Sequence, residues 1–150
     1  MKNFIDYINE KLKLSSSSRH KYVPKTKSEL EKLMDKLRTE RGEDGDFNDV
    51  DTFNIKDMSK LFSDSEFNGD ISEWNVSNVM NMECMFNNSS FNRDISDWDV
   101  SNVKNMNSMF MECDFNQDIS NWDVSGVEEH EEVFLYSKCE MKNQPKFKKR

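Results

Sequence analysis

The chain has 150 residues, of which 35% are hydrophobic and 33% charged, and its net charge at pH 7 is −8. Its longest apolar runs are a few residues, so the sequence excludes a transmembrane helix. With only 4 glycines and 2 prolines it is neither a flexible-linker protein nor a Gly-rich barrel. Three cysteines without a C-x-x-C pair argue against a disulfide framework or a zinc site.

The N-terminal part of the chain, 1–42, is predicted to form a helical segment and cap. Residues 1–14 read as a short amphipathic helix, which a run of serines at 15–18 interrupts. A second helix is predicted to open at Thr26, with Glu29 completing a capping box, and to stop near Gly42. The opening residues contain no continuous apolar stretch of the secretory kind and no lipobox cysteine. The expectation is therefore a chain that stays in the compartment where it is made.

The central part of the chain, residues 43–138, repeats itself at one fixed interval. The segments FNGDISEWNV, FNRDISDWDV and FNQDISNWDV begin at Phe67, Phe91 and Phe115, and a degenerate first copy begins near Glu43. Like residues align in columns across the copies, for example Phe62, Phe86, Phe110 and Phe134. A unit this short cannot bury its own apolar face. Four stacked copies with one elongated core are therefore expected.

Within a copy the apolar spacing changes from one period to another. The stretch Trp74-Asn75-Val76 alternates apolar and polar residues, which predicts a short strand. The next apolar residues, from Val79 to Phe86, recur at three or four positions, which predicts one or two helical turns. The predicted fold class is an α/β solenoid of four 24-residue coils with a small parallel sheet and a helical N-terminal cap. Residues 139–150 are expected to be a basic C-terminal tail.

The repeat unit FNGDISEWNVSNVMNMECMF resembles the BspA-type leucine-rich repeat, which also occurs in mycoplasma lipoprotein-associated domains of unknown function. The resemblance covers residues 43–138 and is carried by F-N-x-D-I-S-x-W-[ND]-V-S, which recurs three times in register. It implies a leucine-rich-repeat-like stack used for protein binding or adhesion, with relatives at the cell surface. The opening MKNFIDYINEKL also resembles the short leaders that direct internal proteins into the heads of tailed phages.

Charge is distributed unevenly, and this distribution bears on partners. The net charge is +5 over residues 1–42, −18 over residues 43–137 and +5 over residues 138–150. An acidic centre repels phosphate, so nucleic acid is an unlikely partner. If the tryptophans point inward, the residues on either side of the tryptophan column point outward. Four copies give eight such outward positions, and six of the eight are carboxylates. The predicted partner-binding residues are Asp49, Asp51, Glu73, Asn75, Asp97, Asp99, Asn121 and Asp123. A face kept negative only for solubility is the other interpretation.

The sequence contains no recognisable catalytic set. His20 and His130 have no nucleophile at a meaningful spacing, and neither a phosphate loop nor an H-E-x-x-H motif is present. Repeated Asn-Asp pairs are expected to make turns. Calcium binding by Asp46, Asp70, Asp94 and Asp118 would need several convergent oxygens. We therefore expect no enzyme activity, no cofactor, no metal and no small-molecule substrate.

Two functions are predicted from these features. The first is a non-catalytic protein-interaction module that binds a basic protein surface through its acidic strand face. The second is a structural or packaged component of a larger particle, such as a phage virion, recruited by the N-terminal amphipathic helix.

Overall fold

The structure, a computed structural model, describes residues 20–149. Within them, helix α1 spans Lys27–Arg41 and a short 3₁₀ helix spans Met141–Asn143. The amphipathic helix predicted within residues 1–14, and with it the structural basis of a packaged role, lies outside the described residues.

Helix α1 forms where its capping residues predict. The Thr26 hydroxyl accepts the Glu29 N–H at 3.2 Å, and the Glu29 carboxylate accepts the Lys25 N–H at 2.8 Å. The second bond thus reaches one residue further back than in a standard capping box. At the other end Gly42 takes a φ of +79°, where glycine is favoured, and donates its N–H to the Arg38 carbonyl at 2.8 Å.

Helix α1 packs along the first copy. Leu30, Met34 and Leu37 are buried in the same apolar cluster as the copies. Lys27 Nζ donates to Ser59 Oγ at 2.7 Å, and Arg38 donates to both Glu43 carboxylate oxygens at 2.8 and 3.0 Å. These polar contacts fix the helix against the copy whose apolar side would otherwise face solvent.

The predicted α/β solenoid with a small parallel sheet is wrong. The described residues contain no sheet, and their parallel pairing is limited to isolated bridges, which join Tyr22 to Val50, Asp46 to Asp70, Asp57 to Asn81, Asn81 to Asn105 and Asn105 to Glu129. The physical reason is that local turns occupy the donors a sheet would need. In the second copy the Trp74 N–H donates to the Ile71 carbonyl at 3.1 Å, and the Val79 N–H donates to the Val76 carbonyl at 2.9 Å.

The helical turns predicted inside each copy are absent as well. Cys84 and Asn88 have positive φ values of 53° and 49°, whereas the residues between them do not. Residues at equivalent positions of the other copies do the same, namely Lys60, Asp64, Ser108, Glu112, Glu132 and Tyr136. A left-handed residue every fourth position interrupts helical bonding, because an α-helix needs consecutive right-handed residues.

Hydrogen bonds between copies replace the helix. The N–H of Phe62 donates to the Met85 carbonyl at 2.9 Å, and Phe86 and Phe110 bond to the next copies at the same length. We call the segments 58–64, 82–88, 106–112 and 130–136 the peptide ladder. Four N–H groups of each of the first three segments donate to the following copy, from residues 58, 60, 62, 64, 82, 84, 86, 88, 106, 108, 110 and 112.

The core lies beside this ladder and consists of stacked rings. Centroids of Phe62, Phe86, Phe110 and Phe134 follow one another at 5.7, 5.5 and 5.6 Å, and the rings are nearly parallel. Trp98 and Trp122 stack in the same manner at 6.4 Å. Side chains one repeat apart therefore lie one above another, and the tryptophans are buried.

The basic C-terminal tail begins by following the last copy. The Ile119 N–H donates to the Asn143 carbonyl at 2.9 Å, so the offset between the two residues is again one full repeat. Pro145 is buried, and the ring of Phe147 stacks on His130 at 4.8 Å. The tail thus covers part of the last copy's outer side.

Candidate interaction surface

Asx turns shape the surface of every copy. The Oδ1 atom of Asp70 accepts the Ser72 N–H at 3.0 Å, and Asn75 accepts the Ser77 N–H at 3.1 Å. The same turn forms at Asp46, Asp51, Asp94, Asp99, Asp118 and Asp123. Short Asp and Asn side chains favour this turn because their oxygen reaches the N–H two residues on. The aspartates considered for calcium therefore bind their own backbone. No three His, Cys, Asp or Glu groups of residues 20–149 converge as metal ligands.

Burial and one hydrogen bond together fix the orientation of each tryptophan ring. The indole Nε1–H of Trp98 donates to the Ile71 carbonyl of the preceding copy at 3.1 Å, and Trp74 and Trp122 make the equivalent bonds at 3.0 and 3.2 Å. Because the ring is buried and its one donor is satisfied, its direction is set. The flanking residues are directed outward as a consequence.

The eight predicted partner-binding residues lie on this outer side, and we call them together the acidic face. Those from Glu73 onward are exposed, whereas Asp49 and Asp51 are half-buried. The Asp97 carboxylate makes no hydrogen bond or ion pair with any described residue. Asn121 donates to the Ser96 carbonyl at 3.1 Å, so its amide is partly occupied within the fold.

The first-copy end of the acidic face is neutralised. Arg41, in the last turn of α1, donates to both oxygens of Asp49 at 2.7 and 2.9 Å. The Arg41 hydrogen bond holds the pKa of Asp49 below its usual value. His20 Nδ1 lies 3.9 Å from a carboxylate oxygen of Asp51. The sequence period could not reveal these contacts, because Arg41 and His20 both come from outside the repeats.

The later copies keep their negative charge. Hydrogen bonds from Ser101 lower the pKa of Asp99, and the neighbouring charge of Asp123 opposes that shift. Hydrogen bonds from Ser125 lower the pKa of Asp123. The charge of Asp123 therefore acts on Asp99 one copy away, and both carboxylates remain ionised at neutral pH.

Two open grooves run beside the acidic face. One has a volume of about 690 Å³ and includes Asp70, Ser72 and Glu73 in its lining, together with Arg41 of α1. The other has a volume of about 330 Å³ and includes Asp94, Asp118 and Asn121. Asp70, Asp94 and Asp118 thus add a second line of carboxylates to the surface. On sequence grounds these three are turn residues and candidate calcium ligands, and their regular spacing alone does not show that they line the grooves.

Comparisons with known proteins place most of the chain in one family. The family model described as "Mycoplasma protein of unknown function, DUF285" matches residues 29–147, which include most of α1, the copies and most of the tail. Searches of the curated proteins and of the solved structures found no match. Across residues 20–149 no helix has the length and apolar character needed to cross a membrane.

Proposed function

We propose that this chain, which belongs to the family described as Mycoplasma protein of unknown function, DUF285, is a non-catalytic protein-interaction module. It binds a partner with a basic surface through the acidic face. The observation that carries the proposal is the line of exposed, ionised carboxylates that the stacked copies hold at a regular spacing. The resemblance of the repeat to the BspA type agrees with a protein-binding role.

Rigid presentation of the charges supports this proposal. Asp99 and Asp123 are fixed by turns to their own backbone, and the tryptophans between them are buried and hydrogen-bonded. Side chains fixed in this way lose little conformational entropy when a partner binds. The tryptophan rings beside these carboxylates stack from copy to copy, with centroids 6.4 Å apart for Trp98 and Trp122.

The repulsion between the copies favours the same conclusion. Like charges placed opposite each other on neighbouring backbone segments are destabilising. A basic partner removes that repulsion on binding and gains steering at a distance, so association is expected to weaken as salt is added. The negative charge available to a partner is greatest in the third and fourth copies, because Arg41 already neutralises Asp49 in the first copy.

Neutralising two carboxylates tests the proposal. In Asp97→Asn with Asp99→Asn the turn at residue 99 survives, because Asn75 makes the equivalent turn with an amide oxygen. We expect the double variant to lose the proteins that the unchanged chain captures in an affinity pull-down read by mass spectrometry. A matched control, Glu66→Gln with Glu112→Gln, removes two exposed charges outside the acidic face and should retain them. If Asp97→Asn with Asp99→Asn captured the same proteins as the unchanged chain and the control, the acidic face would be ruled out as the binding site.

A further inference from the structure

The peptide ladder has a direction. The peptide group between Asn81 and Met82 accepts from Met58 through its carbonyl and donates to Asn105 through its N–H. Every inter-copy peptide group of the ladder repeats this orientation, with the carbonyl toward the preceding copy and the N–H toward the following one. Aligned peptide dipoles add, as they do in a helix, so the last copy is the positive end.

The last copy therefore ends in unpaired donors. The ladder N–H groups of His130, Glu132, Phe134 and Tyr136 have no acceptor among residues 20–149, whereas Ser108, Phe110 and Glu112 of the copy before all donate. We call this feature the donor edge, residues 130–136. At the opposite end of the ladder α1 packs over the first copy. The tail touches the donor edge at its beginning, where the ring of Phe147 stacks on His130, but it provides no acceptor for the four N–H groups.

Apolar side chains surround the donor edge and face solvent. Tyr136 is 79% exposed and Leu135 37%, and both are among the six large hydrophobic residues that are most exposed in the described part of the chain. Phe134 stacks on Phe110 with one face and is only partly buried, unlike Phe86, which has a ring on each side. Exposed apolar groups beside a row of unpaired backbone donors mark an edge that can template another chain.

The charge of the side chains at the donor edge indicates which kind of partner can bind there. Glu132 is exposed at the donor edge and is the last of four exposed glutamates, after Glu128, Glu129 and Glu131. A second copy of this chain is a poor occupant, because two donor edges facing each other bring N–H groups against N–H groups and carboxylates against carboxylates. The donors lie at alternate residues of a ribbon of turns, so an occupant has to offer carbonyl oxygens at alternate residues along one side, as Asn105, Asn107, Met109 and Met111 do for the segment 82–88.

We propose that the donor edge binds a protein segment in which apolar and basic residues alternate and whose carbonyl oxygens at alternate residues face the edge. These carbonyl oxygens accept from the four ladder N–H groups, the segment's apolar side chains cover Phe134 and Tyr136, and a basic side chain pairs with Glu132. This site is separate from the acidic face and does not depend on the function proposed above.

The test uses the full chain and a capped nine-residue peptide of alternating lysine and valine. We expect the peptide to slow amide hydrogen exchange at Glu132, Phe134 and Tyr136, measured residue by residue by NMR. Glu132→Lys should weaken binding of the peptide, because it places a cation where the segment's lysine belongs. The matched control is Glu112→Lys, since Glu112 is also exposed and left-handed but its N–H is already bonded to the Leu135 carbonyl at 2.9 Å.

Several results would overturn the proposal. One is an unchanged exchange rate at the donor edge with the peptide bound. Another is equal binding of a peptide in which glutamate replaces lysine. Loss of binding in Asp97→Asn with Asp99→Asn, but not in Glu132→Lys, would assign the peptide to the acidic face instead. Sedimentation that shows the chain associating with itself through residues 130–136 would assign the edge to a second copy.

Discussion

Gly69 shows how one residue adapts the first two copies to each other. A Cβ atom at this position would lie 2.3 Å from Cε2 of Phe47, which no real contact allows. Phe47 stands in the column that isoleucine fills in the later copies, at residues 71, 95 and 119. The larger ring takes the space in which the third and fourth copies carry Arg93 and Gln117 side chains.

We expect Gly69→Ala to destabilise the fold by about 1–3 kcal/mol, as overpacking of a tight core does. Urea denaturation measures the change. Adding Phe47→Ile should recover part of the loss in Gly69→Ala, although it costs stability in the unchanged chain. If the two substitutions are simply additive, the close approach of Phe47 to residue 69 is not the cause.

Trp98 combines apolar burial with a specific hydrogen bond. Trp98→Ala should cost about 3–5 kcal/mol of unfolding free energy, because it removes a ring that is 4% exposed and leaves a cavity. Trp98→Phe keeps most of the packing but leaves the Ile71 carbonyl without its Nε1–H donor, at a cost of about 1–3 kcal/mol. Thermal or urea denaturation would contradict this account if Ala and Phe behaved alike.

At the scale of elements, the local backbone conformation of the copies differs from the helical turn that the sequence predicts. Met82, Met85 and Phe86 face the core at helical spacing. A ribbon of three-residue turns gives the same spacing, for example with the Met85 N–H on the Met82 carbonyl at 3.2 Å and Asn87 on Cys84. Apolar periodicity cannot separate the two. The left-handed residues that decide between them are Cys, Ser, Lys, Glu and Tyr as well as Asn and Asp, and the first five types carry no left-handed signal.

Helix α1 could be predicted, and the reason is that its signals are local. Thr26, Glu29 and Gly42 act within one turn of their own position, so their chemistry does not depend on the rest of the fold. The absence of a sheet could not be predicted, because the alternation around Trp74 shows only which side chains are buried. It does not reveal that Asx turns and local bonds occupy the N–H groups.

Left-handed residues make the ladder susceptible to stabilisation by glycine. Glu112 has a φ of 54° and is exposed, so Glu112→Gly relieves an unfavourable conformation without removing a buried contact. Relative to Glu112→Gln, which controls for the charge, we expect Gly to be more stable by about 1 kcal/mol. Glu83→Gly is the comparison at a position without a positive φ, where glycine should destabilise. A loss of stability in Glu112→Gly would contradict the left-handed assignment.

For the whole molecule, acid should weaken the fold through its turn-forming aspartates. The pKa values of Asp70, Asp99 and Asp123 are lowered chiefly by hydrogen bonds from the serines two residues on, and that of Asp49 chiefly by Arg41. A carboxyl whose folded pKa lies below its unfolded value of 3.8 stabilises the fold above that pH. This contribution is lost as the pH falls through the lower folded values.

The melting temperature should therefore change little between about pH 7 and 5 and fall below about pH 4. Asp70→Asn should flatten the acid limb, because an amide oxygen keeps the turn without titrating. A melting temperature that rises steadily toward pH 3 would contradict the role given to these carboxylates.

The 24-residue period of the sequence decides how much of the interaction surface could be predicted. The outward direction of Asp97 and Asp99 followed from their place beside a buried tryptophan. Neutralisation of Asp49 by Arg41 and the added line of Asp70, Asp94 and Asp118 did not, because they depend on how α1 and the turns pack. The donor edge was hidden because nothing in the side-chain pattern reports the direction of a peptide group.

The central claim is that alternate peptide groups bond from copy to copy at a spacing of about one repeat. Through-hydrogen-bond scalar couplings measured by NMR test it directly. We predict a coupling between the amide nitrogen of Phe86 and the carbonyl carbon of Met109, and another between Phe110 and Val133. A coupling from Phe86 to the carbonyl of Met82, one helical turn back, would mean that the segment is an α-helix and would contradict the peptide ladder.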